Sequence, residues 1–200
     1  MALSIYKKKR SFGKTPEPTG GKPSKEALYF VIQKHAASRL HYDFRLEMQG
    51  VLKSWAVPKG PSLNPLDKRL AMMVEDHPYD YRHFEGIIPE GNYGAGTVIV
   101  WDEGTYEALE PGTKKEQEKN LVKQLKNGSL KFSLNGTKLK GEFALVKLKN
   151  DVKGNAWLLI KHRDKYARET DVTKKNKSVI SKKTLEQVTR ATTNIKANKL

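Results

Sequence analysis

The stretch Leu40-His41-Tyr42-Asp43-Phe44-Arg45-Leu46-Glu47 alternates apolar and ionisable side chains. Leu40, Tyr42, Phe44 and Leu46 fall on one face, and His41, Asp43, Arg45 and Glu47 on the other. A period of two over this length is the pattern of a β-strand with one face on a core. Neighbours on one strand face stand roughly 6.5–7 Å apart. One face therefore carries an imidazole, a carboxylate and a guanidinium. His35 precedes them and can return to the same face across residues 36–39. Neutral imidazoles and a carboxylate are ligands for divalent transition metals, and a guanidinium fork suits phosphate oxygens. The set suggests metal-assisted attack on a phosphoester. An amphipathic strand with a solvated polar face explains the alternation equally well.

Working outward, residues 26–33 read as a strand that delivers Gln33 and His35. Gln49-Gly50 makes a turn into a strand over 51–57, and residues 58–65 form a Pro-rich loop. A strand over 69–75 ends at Asp76-His77-Pro78, an aromatic loop follows, and a Gly-punctuated turn region leads to a strand over 97–102. The glycines match no phosphate-binding loop motif. Residues 114–127 are a helix stopped by Gly128. Residues 130–134 and 138–148 read as a hairpin about Asn135-Gly136, and 155–162 as the last strand. Short strands, frequent turns and few helices predict a mainly β fold: a closed or nearly closed β-barrel with one or two short flanking helices.

The 200 residues suffice for one domain with a substantial core. The absence of cysteine excludes disulfides, iron–sulfur clusters and thiolate zinc, and fits a reducing cytoplasm. No apolar run is long enough for a membrane span, and the N-terminus does not read as a signal peptide. A cytoplasmic protein without membrane partners is expected. Net charge is +16, unevenly placed. Residues 1–25 carry seven Lys/Arg against one acid, and residues 171–200 carry eight against two. Between them, 23 bases nearly balance 19 acids. Basic ends predict a polyanionic partner, nucleic acid first. The division expected is a basic N-terminal arm (1–25), extended and unpacked, a barrel domain (26–170), and a Lys-rich tail (171–200) with little to bury beyond a short helix near 184–189.

The ordered motifs resemble the phosphoesterase module of bacterial DNA ligase D, in stand-alone form. They are Gln33-x-His35-x5-His41-x-Asp43-x-Arg45, Leu52-Lys53-Ser54-Trp55 through Pro61, Glu75-Asp76-His77-Pro78, Phe84-Glu85-Gly86, Ile88-Pro89-Glu90-Gly91-x-Tyr93-Gly94-Ala95-Gly96, Lys140-Gly141-Glu142-Phe143 and Trp157 to Lys161. The resemblance covers about residues 6–167. It implies a manganese-dependent enzyme that removes a 3′-terminal ribonucleoside and then the 3′-phosphate from DNA or DNA/RNA ends. Cobalt or zinc are alternative metals. It implies His35, His41 and Asp43 as metal ligands, and His77, Arg45, Arg69 and Tyr81 as catalytic groups. Arg10, Glu17 and Gln33 would bind substrate, with Lys53 a further DNA-backbone contact. Where the family has Asp after the arm arginine, this chain has Ser11. The partners implied are a separate ligase, polymerase or end-binding protein. Two other classes fit parts of the pattern: a non-haem iron oxygenase using the two-His-one-carboxylate set, and a non-catalytic DNA end-binding module. His83 and His162 match no site position, and Trp55, Trp101 and Trp157 are expected in the core.

Overall fold

The computed structural model of the chain describes residues 3–197. Its nine strands are β1 (Leu28–Ala36), β2 (Leu40–Met48), β3 (Val51–Val57), β4 (Lys68–Pro78), β5 (Gly86–Ile88), β6 (Gly96–Ala108), β7 (Ser129–Gly136), β8 (Lys140–Lys147) and β9 (Ala156–Lys161). Their order is β1-β2-β3-β4-β9-β8-β7-β6, and β6 pairs back onto β1, so eight strands close a ring. All the pairings are antiparallel. β5 adds to the first residues of β6 on the edge that β7 leaves free. The predicted barrel is therefore observed, closed. Among the described residues three α-helices flank it: α1 (Ser4–Lys8), α2 (Lys114–Lys126) and α3 (Leu185–Ala197).

The apolar face of β2 does what its alternation predicts. Tyr42, Phe44 and Leu46 enter the main core with Trp55, Trp101 and Trp157, whereas Leu40 is exposed at the strand start. Phe44 lies against Phe132 with ring centroids 5.8 Å apart, so truncating it would cost roughly 3–5 kcal/mol. The polar face is not solvated. Asp43, Arg45 and Glu47 are buried, because a second apolar cluster of Tyr6, Val31, Leu52, Tyr81, Phe84, Ile88, Val98 and Val100 lies beside them.

Several boundaries differ from expectation. β1 runs on through His35, and β4 runs on through His77 and Pro78. The aromatic loop is a 3-10 helix over Tyr79–His83. The β7–β8 connection is not a two-residue Asn-Gly turn, since Asn135 still pairs with Lys140. The turn lies two residues further on, at Thr137-Lys138, where the Gly136 N–H donates to the Leu139 carbonyl at 2.9 Å. The buried Asp102 carboxylate sets it by accepting the backbone N–H groups of Thr137, Lys138 and Leu139 at 2.8–3.0 Å. α2 starts on a capping box formed by Thr113 and Glu116.

Both basic ends pack. In the arm, Tyr6 is wholly buried on α1, and its hydroxyl donates to the Pro18 carbonyl at 2.6 Å. At the other end Val172 joins the main core, and Leu185 and Val188 pack on Ile99. Trp101 Nε1 donates to the Lys175 carbonyl at 2.6 Å, and the Val179 N–H donates to the Val100 carbonyl at 2.9 Å. One buried or bonded anchor every few residues is enough to hold a polar segment down. No described helix is long and apolar enough to cross a membrane.

Candidate active site

The β1–β2 register places His35 opposite His41 and Gln33 opposite Asp43. The two imidazole centroids are 4.8 Å apart. His35 Nδ1 lies 3.4 Å and His41 Nε2 3.8 Å from Asp43 Oδ2. The other ring nitrogens are committed. His35 Nε2 sits 2.9 Å from the Gly94 carbonyl, and His41 Nδ1 sits 2.9 Å from the Arg39 carbonyl. A carbonyl accepts only, so each of those nitrogens carries its proton. His35 Nδ1 and His41 Nε2 are the ring nitrogens left facing the carboxylate, and each becomes a ligand atom when it gives up its proton in favour of a cation. Burial opposes ionisation of Asp43, but Arg45 first, then His35 and His41, overcome it and hold the carboxyl well below the usual range. One candidate ligand atom from each of His35, His41 and Asp43 lies within 4.8 Å of the others. Two oriented imidazoles and an ionised carboxylate, without sulfur, fit a divalent first-row cation.

Arg45 stands next on the β2 face, opposite Ser54 of β3. Its Nε donates to Gln33 Oε1 at 2.9 Å, Nη1 to Ser54 Oγ at 2.8 Å, and Nη2 pairs with Asp43 Oδ2 at 3.2 Å. Gln33 is itself fixed, donating to the Tyr81 and Phe84 carbonyls at 2.9 and 3.0 Å. The guanidinium lies over the Tyr81 ring, 4.9 Å from its centroid. These bonds leave one N–H on each terminal nitrogen for an oxyanion.

His77 and the arm complete the wall. His77 Nδ1 lies 2.9 Å from the Glu75 carbonyl, and Nε2 lies 3.2 Å from Arg10 Nη2. Nδ1 is therefore the protonated nitrogen, and Nε2 accepts from Arg10. Burial, then Arg45 and Arg10, push the imidazole well below its ordinary pKa, so the ring is neutral. Arg10 stacks on Tyr6 at 3.9 Å, pairs through Nε with Glu17 at 2.8 Å, and reaches Glu75 at 3.3 Å. Glu17 also accepts from Tyr81 Oη at 2.9 Å and from Thr15 Oγ1 at 2.9 Å. Ser11 is exposed, and the carboxylates on Arg10 come from Glu17 and Glu75 instead.

Arg10, His35, His41, Asp43, Arg45, Glu75, His77, Tyr81, Tyr93 and Gly94 line one cavity of about 250 Å³. Gln33 and Glu17 stand behind it, holding Arg45, Arg10 and Tyr81. Two other expected residues are not brought there. Arg69 pairs with Asp67 at 2.8 Å and lines a separate cleft with Lys59 and Lys68. Lys53 is tied to Asp76 at 2.6 Å. Larger clefts of about 560 and 660 Å³ contain no comparable cluster. Glu75, Ser54, Tyr93 and Gly94 escaped the sequence reading as site residues. Glu75 had a signal, standing two residues before His77 as His41 stands before Asp43. Ser54 had one too, as a small polar residue amid apolar neighbours. Tyr93 and Gly94 had only a Gly-rich loop to mark them.

Residues 33–147 match the family model described as the DNA Ligase D 3'-phosphoesterase domain. The chain is 48% identical over 190 residues to the multifunctional non-homologous end joining protein LigD of Pseudomonas aeruginosa, covering 92% of this chain and 22% of that protein. It is 42% identical over 172 residues to the multifunctional non-homologous end joining DNA repair protein LigD of Mycobacterium tuberculosis, covering 85% of this chain and 21% of that protein. The multifunctional non-homologous end joining protein LigD of Mycolicibacterium smegmatis is 41% identical over 177 residues, covering 84% of this chain and 22% of its own length. The chain thus spans about a fifth of the length of these relatives. The matched region contains the candidate metal cluster, Arg45 and His77, so both similarity and site lead to one family: the chain belongs to the DNA ligase D 3′-phosphoesterase domain family.

Proposed function

We propose that the chain is a manganese-dependent 3′-end-healing phosphoesterase of DNA repair. It removes a 3′-terminal ribonucleoside from a DNA or DNA/RNA end, then the remaining 3′-phosphate, and leaves a 3′-hydroxyl for ligation or polymerase extension. The supporting observation is the juxtaposition, in one small cavity, of His35, His41 and Asp43 with Arg45 and the neutral His77. His35, His41 and Asp43 would hold the cation, which when bound supplies Lewis-acid polarisation of a phosphoryl oxygen.

The chain's own residues supply the rest. Arg45 offers its two remaining N–H groups to phosphoryl oxygens, and burial makes them worth more than in water. Its other bonds fix it before substrate arrives. His77 enters uncharged, and Nε2, once Arg10 moves its hydrogen bond onto the phosphate, is the atom that takes or passes on a proton. An arriving phosphate offsets the positive charge of Arg45 and Arg10. That raises the proton affinity of His77, so the ring is better able to carry a proton to the departing alkoxide with substrate bound. Tyr81 is positioned by Glu17 under Arg45. In this reading residues 1–25 form an arm that completes the site on the 26–170 barrel. In the same reading Arg69 and Lys59, together in the neighbouring cleft, contact flanking nucleic acid, and Lys53 is a backbone contact once released from Asp76.

The test is a primer–template ending in a 3′-phosphate or a single 3′-ribonucleotide, incubated with Mn²⁺, Co²⁺, Zn²⁺, Mg²⁺ or chelator. Activity should require the cation, be best with Mn²⁺, and vanish in His41→Ala and Asp43→Ala while the barrel stays folded. Undiminished hydrolysis in excess chelator would remove the metal from the reading.

A further inference from the structure

Three tyrosines stand in or behind the cavity wall with different exposures. Tyr6 packs behind it and Tyr81 within it, both buried, and their hydroxyls are committed to Pro18 and Glu17. Tyr93 is 49% exposed although it lines the same cavity. It is held rather than loose. Lys9 Nζ sits over its ring, 4.4 Å from the centroid, and 3.3 Å from its hydroxyl. Lys9 is fixed in turn by Glu75 at 3.0 Å, and the Arg10 guanidinium lies 5.7 Å from the ring centroid. The next residue, Gly94, is the one whose carbonyl orients His35. Tyr93 is therefore a flat apolar plate at the cavity mouth, indexed to the metal-ligand cluster by one peptide unit.

A phosphate bound at Arg45 needs no such plate. A nucleoside attached to that phosphate does, because an exposed aromatic face held in place is a stacking platform that tolerates any base. Burying the flat side of a base against a pre-positioned ring also avoids the entropy of ordering a mobile side chain. We propose that Tyr93 stacks on the nucleobase of the 3′-terminal nucleoside, and so sets the enzyme's preference for a terminal nucleoside over a bare sugar. The inference rests on the phosphoesterase reading above and specifies which part of the substrate meets which side chain.

The experiment compares two primer–templates in Mn²⁺. One ends in a 3′-ribonucleotide, the other in a base-less ribose unit on the same phosphodiester. Wild type should favour the strand with a base by roughly 5- to 100-fold in kcat/KM, the range expected from losing one base–aromatic stack. In Tyr93→Ala the ratio should fall towards one, while Tyr93→Phe and Tyr93→Trp should keep it. Retention in Tyr93→Phe assigns the effect to the ring rather than to the hydroxyl bonded to Lys9. A binding arm needs neither metal nor turnover: 2-aminopurine as the terminal base, in chelator, should be quenched by wild type and by Tyr93→Phe but not by Tyr93→Ala. A base preference unchanged in Tyr93→Ala, or equal quenching by wild type and Tyr93→Ala, overturns the inference. A wild type that releases neither nucleoside nor base-less sugar overturns the phosphoesterase reading instead.

Discussion

The arm before β1 and the segment after β9 start from the same composition, short of apolar residues and rich in lysine, yet they bind the barrel by opposite means. The arm inserts charge. Arg10 and Glu17 are buried as a pair, with side-chain exposures of 4% and 0%, and they meet His77 and Tyr81. The C-terminal segment inserts apolar side chains and backbone. Val172, Leu185 and Val188 are buried, and Lys175 gives its carbonyl, not its ammonium, to Trp101 and to Lys138 at 3.0 Å. The former lines the candidate site and the latter covers core. Net charge alone, +6 at each end from the sequence, does not distinguish them.

The largest expected effect of that difference is on stability. Deleting 171–200 removes the burial of Val172, Leu185 and Val188, each worth roughly 1.5–3 kcal/mol, against a net stability of only about 5–15 kcal/mol. The melting temperature by circular dichroism should fall by more than about 10 °C. A truncated chain that melts with wild type would make the segment a passive extension.

Next comes activity. Arg10→Ala removes the partner of His77 but leaves Glu17 its bonds from Tyr81 and Thr15. It should cost about 10²–10³ in kcat/KM, the scale of losing a buried electrostatic group at a reacting centre. Melting should fall as well, because Glu17 is left a buried carboxylate without its guanidinium. The comparison breaks if the C-terminal truncation, assayed well below its melting temperature, loses as much activity as Arg10→Ala.

A smaller effect concerns pH. Burial and the two arginines depress the folded pKa of His77, whereas in the unfolded chain it is about 6.5. As pH falls below about 6.5 the unfolded state takes up the proton first, so stability present above that value is lost as pH drops toward the folded pKa. The slope in that window approaches roughly 1.4 kcal/mol per pH unit. Chemical denaturation at pH 7.5 and 5.5 should show it, and Arg10→Ala should flatten it by raising the folded pKa. An identical slope in His77→Gln would assign the dependence to another group.

The smallest effect belongs to the exposed lysines of the C-terminal segment. Lys182 and Lys183 are exposed, so replacing both with Gln should make the slope of log K against log salt shallower by about one to two on duplex DNA. Turnover at saturation should hold, since an attraction to flanking phosphates is common to ground and transition states. A steep fall in turnover would place these lysines in the site.

How much of this could be read from the chain depends on the range of the interactions. The barrel strands and the His41–Asp43–Arg45 face were legible because alternation is local and survives in one strand. The β7–β8 turn was not, because Asp102, a distant residue of β6, overrides the preference of Asn135-Gly136. Composition suggested loose ends because it records how many apolar residues a segment has, not whether a pocket awaits each. Tyr6 alone anchors α1. Arg69 was expected at the site from resemblance, and its bond to Asp67 holds it in the neighbouring cleft. Gly94 could not be found from its side chain, since the atom that matters is its carbonyl oxygen.

Such carbonyls govern how the site responds to change. Both imidazoles of the candidate metal cluster are aimed by main-chain oxygens, Gly94 for His35 and Arg39 for His41. No substitution can delete a carbonyl, so the orienting layer resists point mutation in a way that a carboxylate partner would not. It is vulnerable to a change of length. Removing or adding one residue in the 37–39 turn or the 91–96 loop would carry the carbonyl off register while every ligand stayed in the sequence. Tolerance of this centre is thus written in the spacing of two loops, and insertions there, more than replacements, are what should silence it.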